Sequence, residues 1–151
     1  MSDLSIELFE MCTHWPELFA RLSDAHLNIR KANRRDALAL QHVVFTVLRE
    51  YGLPVEPDGT DVDLADVDAH YNDRDGLFVT LVDDAGEVLG TAGIYPMDET
   101  TCELRKMYFL PPVRGLGLGK RLVQVLMGWA ATQGFEVMTL ETATCLSLIH
   151  I

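Results

Sequence analysis

The stretch VRGLGLGKRL, Val113–Leu122, decides how the rest of the chain is read. Gly115, Gly117 and Gly119 alternate with Leu116 and Leu118, Arg114 stands in front, and Lys120 and Arg121 close the run. Leu118, Leu122, Leu126 and Trp129 recur at helical spacing as far as Gly134, so a helix begins inside the glycine run. The first N–H groups of that helix have no partner within it, and its dipole favours negative charge there. Glycines at such a terminus keep side chains out of the path of an anion approaching the backbone. Arg114 and Lys120 add positive charge. Two familiar phosphate loops do not fit. A GxxxxGK[ST] loop needs glycine where Arg114 stands and Ser or Thr where Arg121 stands. A dinucleotide fingerprint needs GxGxxG, and the spacing here is GxGxG.

Upstream of the loop, GLFVTLV (76–82), VLGTAGIY (88–95) and CELRKMYFL (102–110) read as strands, separated by the turn segments DDAGE and MDET. Turns this short predict an antiparallel meander. After the helix, FEVMTLE (135–141) predicts a strand parallel to the one before the loop, reached by a crossover. LNIRKA (27–32) reads as the first strand. Asn33, with Asp36 three residues on, marks a helix start. Leu40, Val44, Val47 and Leu48 form that helix's apolar stripe, and Gly52 and Pro54 stop it. DVDLADVDAHY places Leu64, Val67 and Tyr71 at helical spacing and predicts a short helix with a solvated acidic face. A calcium loop is excluded there, because no glycine stands sixth from Asp58 or Asp61. Residues 1–26 read as one or two short helices broken near Pro16, a candidate homodimer face.

Composition narrows the function classes. A length of 151 residues, 48% of them hydrophobic, suits one domain with a real core. No 18-residue apolar run is present, so no membrane span is expected. The acidic start MSDLSIELFE lacks an export signal pattern. Cys12, Cys102 and Cys145 show no CxxC spacing, which suits a reducing cytoplasm. The histidines show no ligand spacing, so no metal is expected. A net charge of −11 argues against nucleic acid or an anionic membrane as partner. Its distribution says more. Glu56, Asp58, Asp61, Asp63, Asp66, Asp68, Asp73 and Asp75 form an acidic block, whereas residues 104–135 contain no Asp or Glu but hold Arg105, Lys106, Arg114, Lys120 and Arg121. A positive island centred on a glycine loop predicts an anionic ligand. The acidic block reads either as a solvated helix face or as an entrance that draws a cationic amine.

Arg114, Gly117 and Gly119 satisfy the pattern [R/Q]-x-x-G-x-[G/A]. The segment ELRKMYFLPPVRGLGLGKRLVQVLMGWAATQGFEVMTLETA, beginning at Glu103, resembles the acetyl-coenzyme-A-binding core of the GCN5-related N-acetyltransferases. The resemblance spans residues 27–144 and implies an α/β fold of the α+β kind, a mixed, mainly antiparallel sheet flanked by helices. It implies that the pyrophosphate of acetyl-CoA rests on Arg114, Gly115, Leu116, Gly117, Leu118, Gly119 and Lys120. It further implies that the backbone at Met107 and Phe109 bonds the pantetheine arm, and that this strand splays from its parallel neighbour with acetyl-CoA in the gap.

The implied activity is direct acetyl transfer to a primary amine of a small molecule or peptide. At pH 7 only a few in ten thousand lysine-like amines are neutral, given a pKa of about 10.4, so a general base is needed. Glu103 is the candidate, with a solvated residue paired to Arg105 as the competing reading. Backbone N–H groups near Met107 and Phe109 would polarise the thioester. Cys102 has no histidine near it in sequence and reads as a small buried residue rather than a nucleophile. A non-catalytic acyl-CoA sensor would keep Arg114, Gly117 and Gly119 and dispense with Glu103.

The resemblance also implies a further helix, usually carrying a tyrosine that protonates the leaving thiolate, and two more strands. The chain instead runs out in ETATCLSLIHI, with no tyrosine after Tyr108. LSLIHI (146–151) is similar to a translated transposon end used in sequencing libraries and reads as a non-native tail. The other reading is an apolar strand through Leu148 and Ile149. The expected organisation is a helical extension over 1–26, an incomplete acetyl-CoA-binding domain over 27–145 and a tail over 146–151, with an inactive fragment as the alternative outcome.

Overall fold

In the computed structural model, residues 26–141 and 146–150 are described. The helices expected at the N-terminus fall, His26 apart, outside those residues, as do Cys12 and Cys145. Four runs with strand chemistry form β1 (Asn28–Lys31), β2 (Leu77–Val82), β3 (Val88–Pro96) and β4 (Thr101–Phe109), each antiparallel to the next. β5 (Val137–Glu141) joins β4 in parallel, and β6 (Leu146–His150) pairs antiparallel with β5. The sheet therefore runs β1-β2-β3-β4-β5-β6, mixed and mainly antiparallel. Residues 146–150, which the sequence leaves open between a tail and a strand, take a strand position.

Among the described residues three α-helices cover the sheet. Before α1 (Ala37–Glu50), the Asn33 side chain accepts the Arg35 N–H at 2.8 Å and the Asp36 carboxylate accepts the Asn33 N–H at 2.9 Å. This reciprocal cap satisfies donors that a helix start leaves orphaned. At its other end Gly52 turns left-handed at φ +68°. The Gly52 N–H then reaches the Arg49 carbonyl at 3.1 Å, and the Leu53 N–H reaches the Leu48 carbonyl at 2.8 Å, closing the helix with a Schellman motif. α2 (Val67–His70) is a single turn capped by Asp66. α3 (Leu118–Thr132) follows the glycine run.

Two apolar layers sandwich the sheet. Leu118, Leu122, Val125, Leu126 and Trp129 of α3 pack on Ile29, Val79, Ile94, Cys102 and Leu104. On the other face Leu40, Val44, Leu64, Val67 and Tyr71 pack on Phe78, and Val43 and Val47 pack on Val82 and Val88. Coverage on both faces explains why all six residues of β2, LFVTLV, are buried although the strand hardly alternates.

Candidate functional site

The glycine run closes around the start of α3. Gly115 and Gly117 adopt φ +76° and +74°, and a Cβ added at either would meet nothing within 4 Å. Their requirement is thus conformational. An L side chain is strained in the left-handed region at both positions, and the space above them is open. Gly119 has ordinary φ, and a Cβ there would touch only the Phe109 ring at 3.6 Å. Gly117 caps α3 without any side-chain cap, and the first helical bond runs from the Arg121 N–H to the Gly117 carbonyl at 3.3 Å. The N–H groups of Leu118, Gly119 and Lys120 precede it and have no partner within the helix. Leu116 is 55% exposed and Lys120 is exposed, whereas Leu118 is buried in the core.

Arg114, read from the sequence as added charge for an anion, gives its fork to the Glu50 carboxylate at 2.6 and 2.7 Å, and its Nε donates to the Phe109 carbonyl at 2.9 Å. Glu50 balances its charge in this structure. It ties the loop to the ends of β4 and α1. No spacing rule links residues 50 and 114, which is why the sequence hides this pair.

The second component is β4. Its pairing with β5 runs from Thr101–Val137 to Leu104–Leu140. Arg105–Phe109 continue beyond that point, with no register partner on β5 among the described residues. Among the described residues β5 ends at Glu141, so the register with β4 is defined only as far as Leu104. On the β3 side the register passes from Gly93–Arg105 to Thr91–Tyr108, so Lys106 and Met107 together oppose Ala92. This is a β-bulge, and it changes the side to which residues point. Cys102 and Leu104 face α3. One extra residue later, Met107 and Phe109 face α3 again, while Tyr108 packs on the α1 side. The sequence carries the signal, overlooked in the reading above: apolar residues at 102 and 104 resume at 107 and 109, with the doublet Arg105–Lys106 between.

Lys106 sits at φ +56°, which costs a non-glycine residue roughly 1–2 kcal/mol. The Thr91 hydroxyl donates to its carbonyl at 2.7 Å. Its ammonium donates to the Thr60 carbonyl at 3.0 Å and to the Asp61 carboxylate, with Asp63 Oδ1 at 3.7 Å. Asp61 and Asp63 are only 4% and 8% exposed. The acidic block is thus not uniformly a solvated face, because two of its carboxylates turn inward to meet this cation. The Tyr71 hydroxyl donates to Asp63 Oδ2. Burial, followed by the Asp63 charge and hydrogen bond, holds the Tyr71 phenol far above its ordinary pKa. Asp63 Oδ1 itself accepts no hydrogen bond.

Glu103 faces the same side. It is 9% exposed rather than solvated and is ion-paired with Arg105. Burial works to lower Arg105, and the hydrogen bond and charge of Glu103 outweigh it, leaving the guanidinium above its usual value. Arg105 also stacks 3.8 Å from the Tyr95 ring centroid. Cys102 points the other way, into the α3 core, where burial pushes its thiol up to about 11. A thiol so shielded is no nucleophile at neutral pH. Among the described residues no His, Cys, Asp and Glu side chains gather into a metal-binding group.

The geometry agrees with comparison to known proteins. Residues 42–147 match the model of the acetyltransferase (GNAT) family. YjgM of Escherichia coli, named an uncharacterized N-acetyltransferase, is 37% identical over 123 residues, covering 78% of this chain and 73% of that protein. Among solved structures, a GNAT-family acetyltransferase from Staphylococcus aureus superposes with a TM-score of 0.73 at 23% identity, over 77% of this chain and 72% of that one. A GNAT-family acetyltransferase from Brucella melitensis, solved in complex with acetyl-CoA, superposes with a TM-score of 0.67 at 19% identity, over 84% and 89%. With this family model matched over 42–147 and a relative 37% identical over most of both chains, on a fold with a bulged β4 and a glycine-capped α3, the chain belongs to the acetyltransferase (GNAT) family.

Proposed function

We propose that this protein transfers the acetyl group of acetyl-CoA directly to a primary amine of a small molecule or peptide. The observation that carries the proposal is the alignment of two features. Unpartnered N–H groups head α3 under open space at Gly115 and Gly117, and they lie beside the end of β4, where Gly119 approaches the Phe109 ring and no described β5 residue is in register. The first feature suits a pyrophosphate, the second a pantetheine arm bonded along Met107–Phe109. Structural neighbours solved with acetyl-CoA support acetyl-CoA as the donor.

In the proposed reaction the amine nitrogen attacks the thioester carbonyl, the C–S bond breaks and the thiolate leaves with the electron pair. Backbone N–H groups near Met107 and Phe109 stabilise the developing oxyanion. Glu103 takes the proton from the attacking nitrogen, acting from within its pair with Arg105. Asp61 and Asp63, with Glu103, put three carboxylates on this side of β4, groups that would suit a cationic acceptor. Titration calorimetry with CoA tests the binding half. Thiol release from acetyl-CoA with an amine panel tests the chemistry. Glu103→Gln is expected to lower kcat by about 10²–10⁴-fold while leaving CoA affinity unchanged; equal turnover would remove Glu103 from the mechanism.

The Glu103–Arg105 pair favours a second reading, a non-catalytic acyl-CoA sensor in which Glu103 is purely structural. CoA binding without turnover of any amine would select it.

A further inference from the structure

We infer that Lys106 is a positioning residue for the thioester, and that its clamp onto Asp61 holds the β4 bulge in the shape that presents the backbone of Met107 to the acyl group. The inference rests on the acetyl-CoA reading above but concerns residues that no family pattern in the sequence marks. Lys106 is the extra residue of the bulge and lies at φ +56°, where a lysine is strained unless its surroundings enforce the conformation. Those surroundings are visible. Its carbonyl is tied to Thr91, and its ammonium is buried against Asp61, the Thr60 carbonyl and Asp63. Asp61 is anchored in turn, since its Oδ2 accepts the Glu56 N–H at 3.0 Å and its own N–H reaches the Glu56 carbonyl at 3.0 Å. The acidic segment is therefore a bracket built to receive one cation, and that cation stands at the residue where β4 changes parity.

The consequence is specific. Without the clamp, an L residue at 106 has every reason to return to the β region, the bulge slips, and Met107 and Phe109 exchange faces with Tyr108. Glycine takes positive φ without strain, so it can keep the bulge with no side chain at all. Loss of position here, rather than of a contacting group, would distort polarisation of the thioester carbonyl while leaving the pyrophosphate loop intact.

The experiment uses the full chain with CoA and with acetyl-CoA labelled at the carbonyl carbon. In the wild type, the infrared carbonyl band of bound acetyl-CoA is expected at lower frequency than that of free acetyl-CoA. Lys106→Met should return the band towards its free position, with the CoA Kd weakened by a smaller factor than acetyl transfer because the pyrophosphate loop is intact. Lys106→Gly should keep more of the displacement than Lys106→Met. Acetyl transfer to the best amine of the panel should fall about a hundredfold in Lys106→Met, the scale of an ångström-level misplacement. If Lys106→Met does not fold, Asp61→Asn carries the same readouts and should mimic it. A displaced band that neither Lys106→Met nor Asp61→Asn alters overturns the inference, as does a Lys106→Gly variant no better than Lys106→Met. Absence of CoA binding in the wild type would instead overturn the acetyl-CoA reading.

Discussion

Gly117 shows how much one residue decides. It caps α3 at φ +74° with open space around the position of a Cβ. Gly117→Ala therefore creates no clash but forces an L residue into the left-handed region, at about 1 kcal/mol. The expected result is a small fall in Tm and a disproportionate fall in CoA affinity by calorimetry, because the strain relaxes by rotating the N–H groups proposed to meet the pyrophosphate. Affinity that tracks stability alone would contradict this. The glycines were legible in the sequence, yet the reason for them was only half so. A glycine that clears space and a glycine that supplies positive φ look the same in one-letter code. Arg114 was legible as a charge but not as a partner of Glu50, since that pair depends on where α1 ends in space.

At the scale of elements, the α1 cap, the meander and the helix after the glycine run followed from periodicity and turn chemistry. The bulge did not, because a one-residue slip in alternation was masked by two long charged side chains. The acidic segment was misjudged for a related reason. Asp61 and Asp63 carry the same charge as Asp66 and Asp68, but they lie under a partly buried lysine, 45 residues on from Asp61. Tyr71 completes this packing. Its ring meets Phe78 at 5.0 Å and Tyr95 at 5.9 Å between centroids, edge-on in each case, while its hydroxyl serves Asp63. Tyr71→Phe keeps the rings and leaves a second Asp63 oxygen without its donor. A loss of about 1–3 kcal/mol in denaturant unfolding is expected, larger than a ring contact alone would give.

For the whole molecule, several carboxylates are held below their ordinary pKa. Glu50 is lowered by the Arg114 fork, Asp66 by the Ala69 N–H, Asp68 by the Asn72 amide and Asp98 by the Thr100 N–H. Asp36 is lowered too, its burial opposing the shift and the Arg30 and Asn33 hydrogen bonds prevailing. A carboxylate with a depressed folded-state pKa adds stability that is fully present above its unfolded value, about 4. That stability disappears as pH falls through the folded-state value. Unfolding free energy should therefore be level from neutral pH down to about 5 and decline below about 4. Asp36→Asn should flatten that decline, and an unchanged slope would show that this pair is uncoupled from folding.

By itself, the sequence determined the strands of the meander, where α1 begins and stops, and that α3 starts inside the glycine run, because each of these is governed by residues within a turn or two of one another. Only the tertiary structure decided that Arg114 is matched by Glu50, that Asp61 and Asp63 face inward, and that Lys106 holds a parity change in β4. The inward turn of Asp61 and Asp63 is set by charges brought together largely out of water, where an unpaired ion is too costly to leave alone, and the exposed Arg114–Glu50 pair by where the end of α1 lies in space.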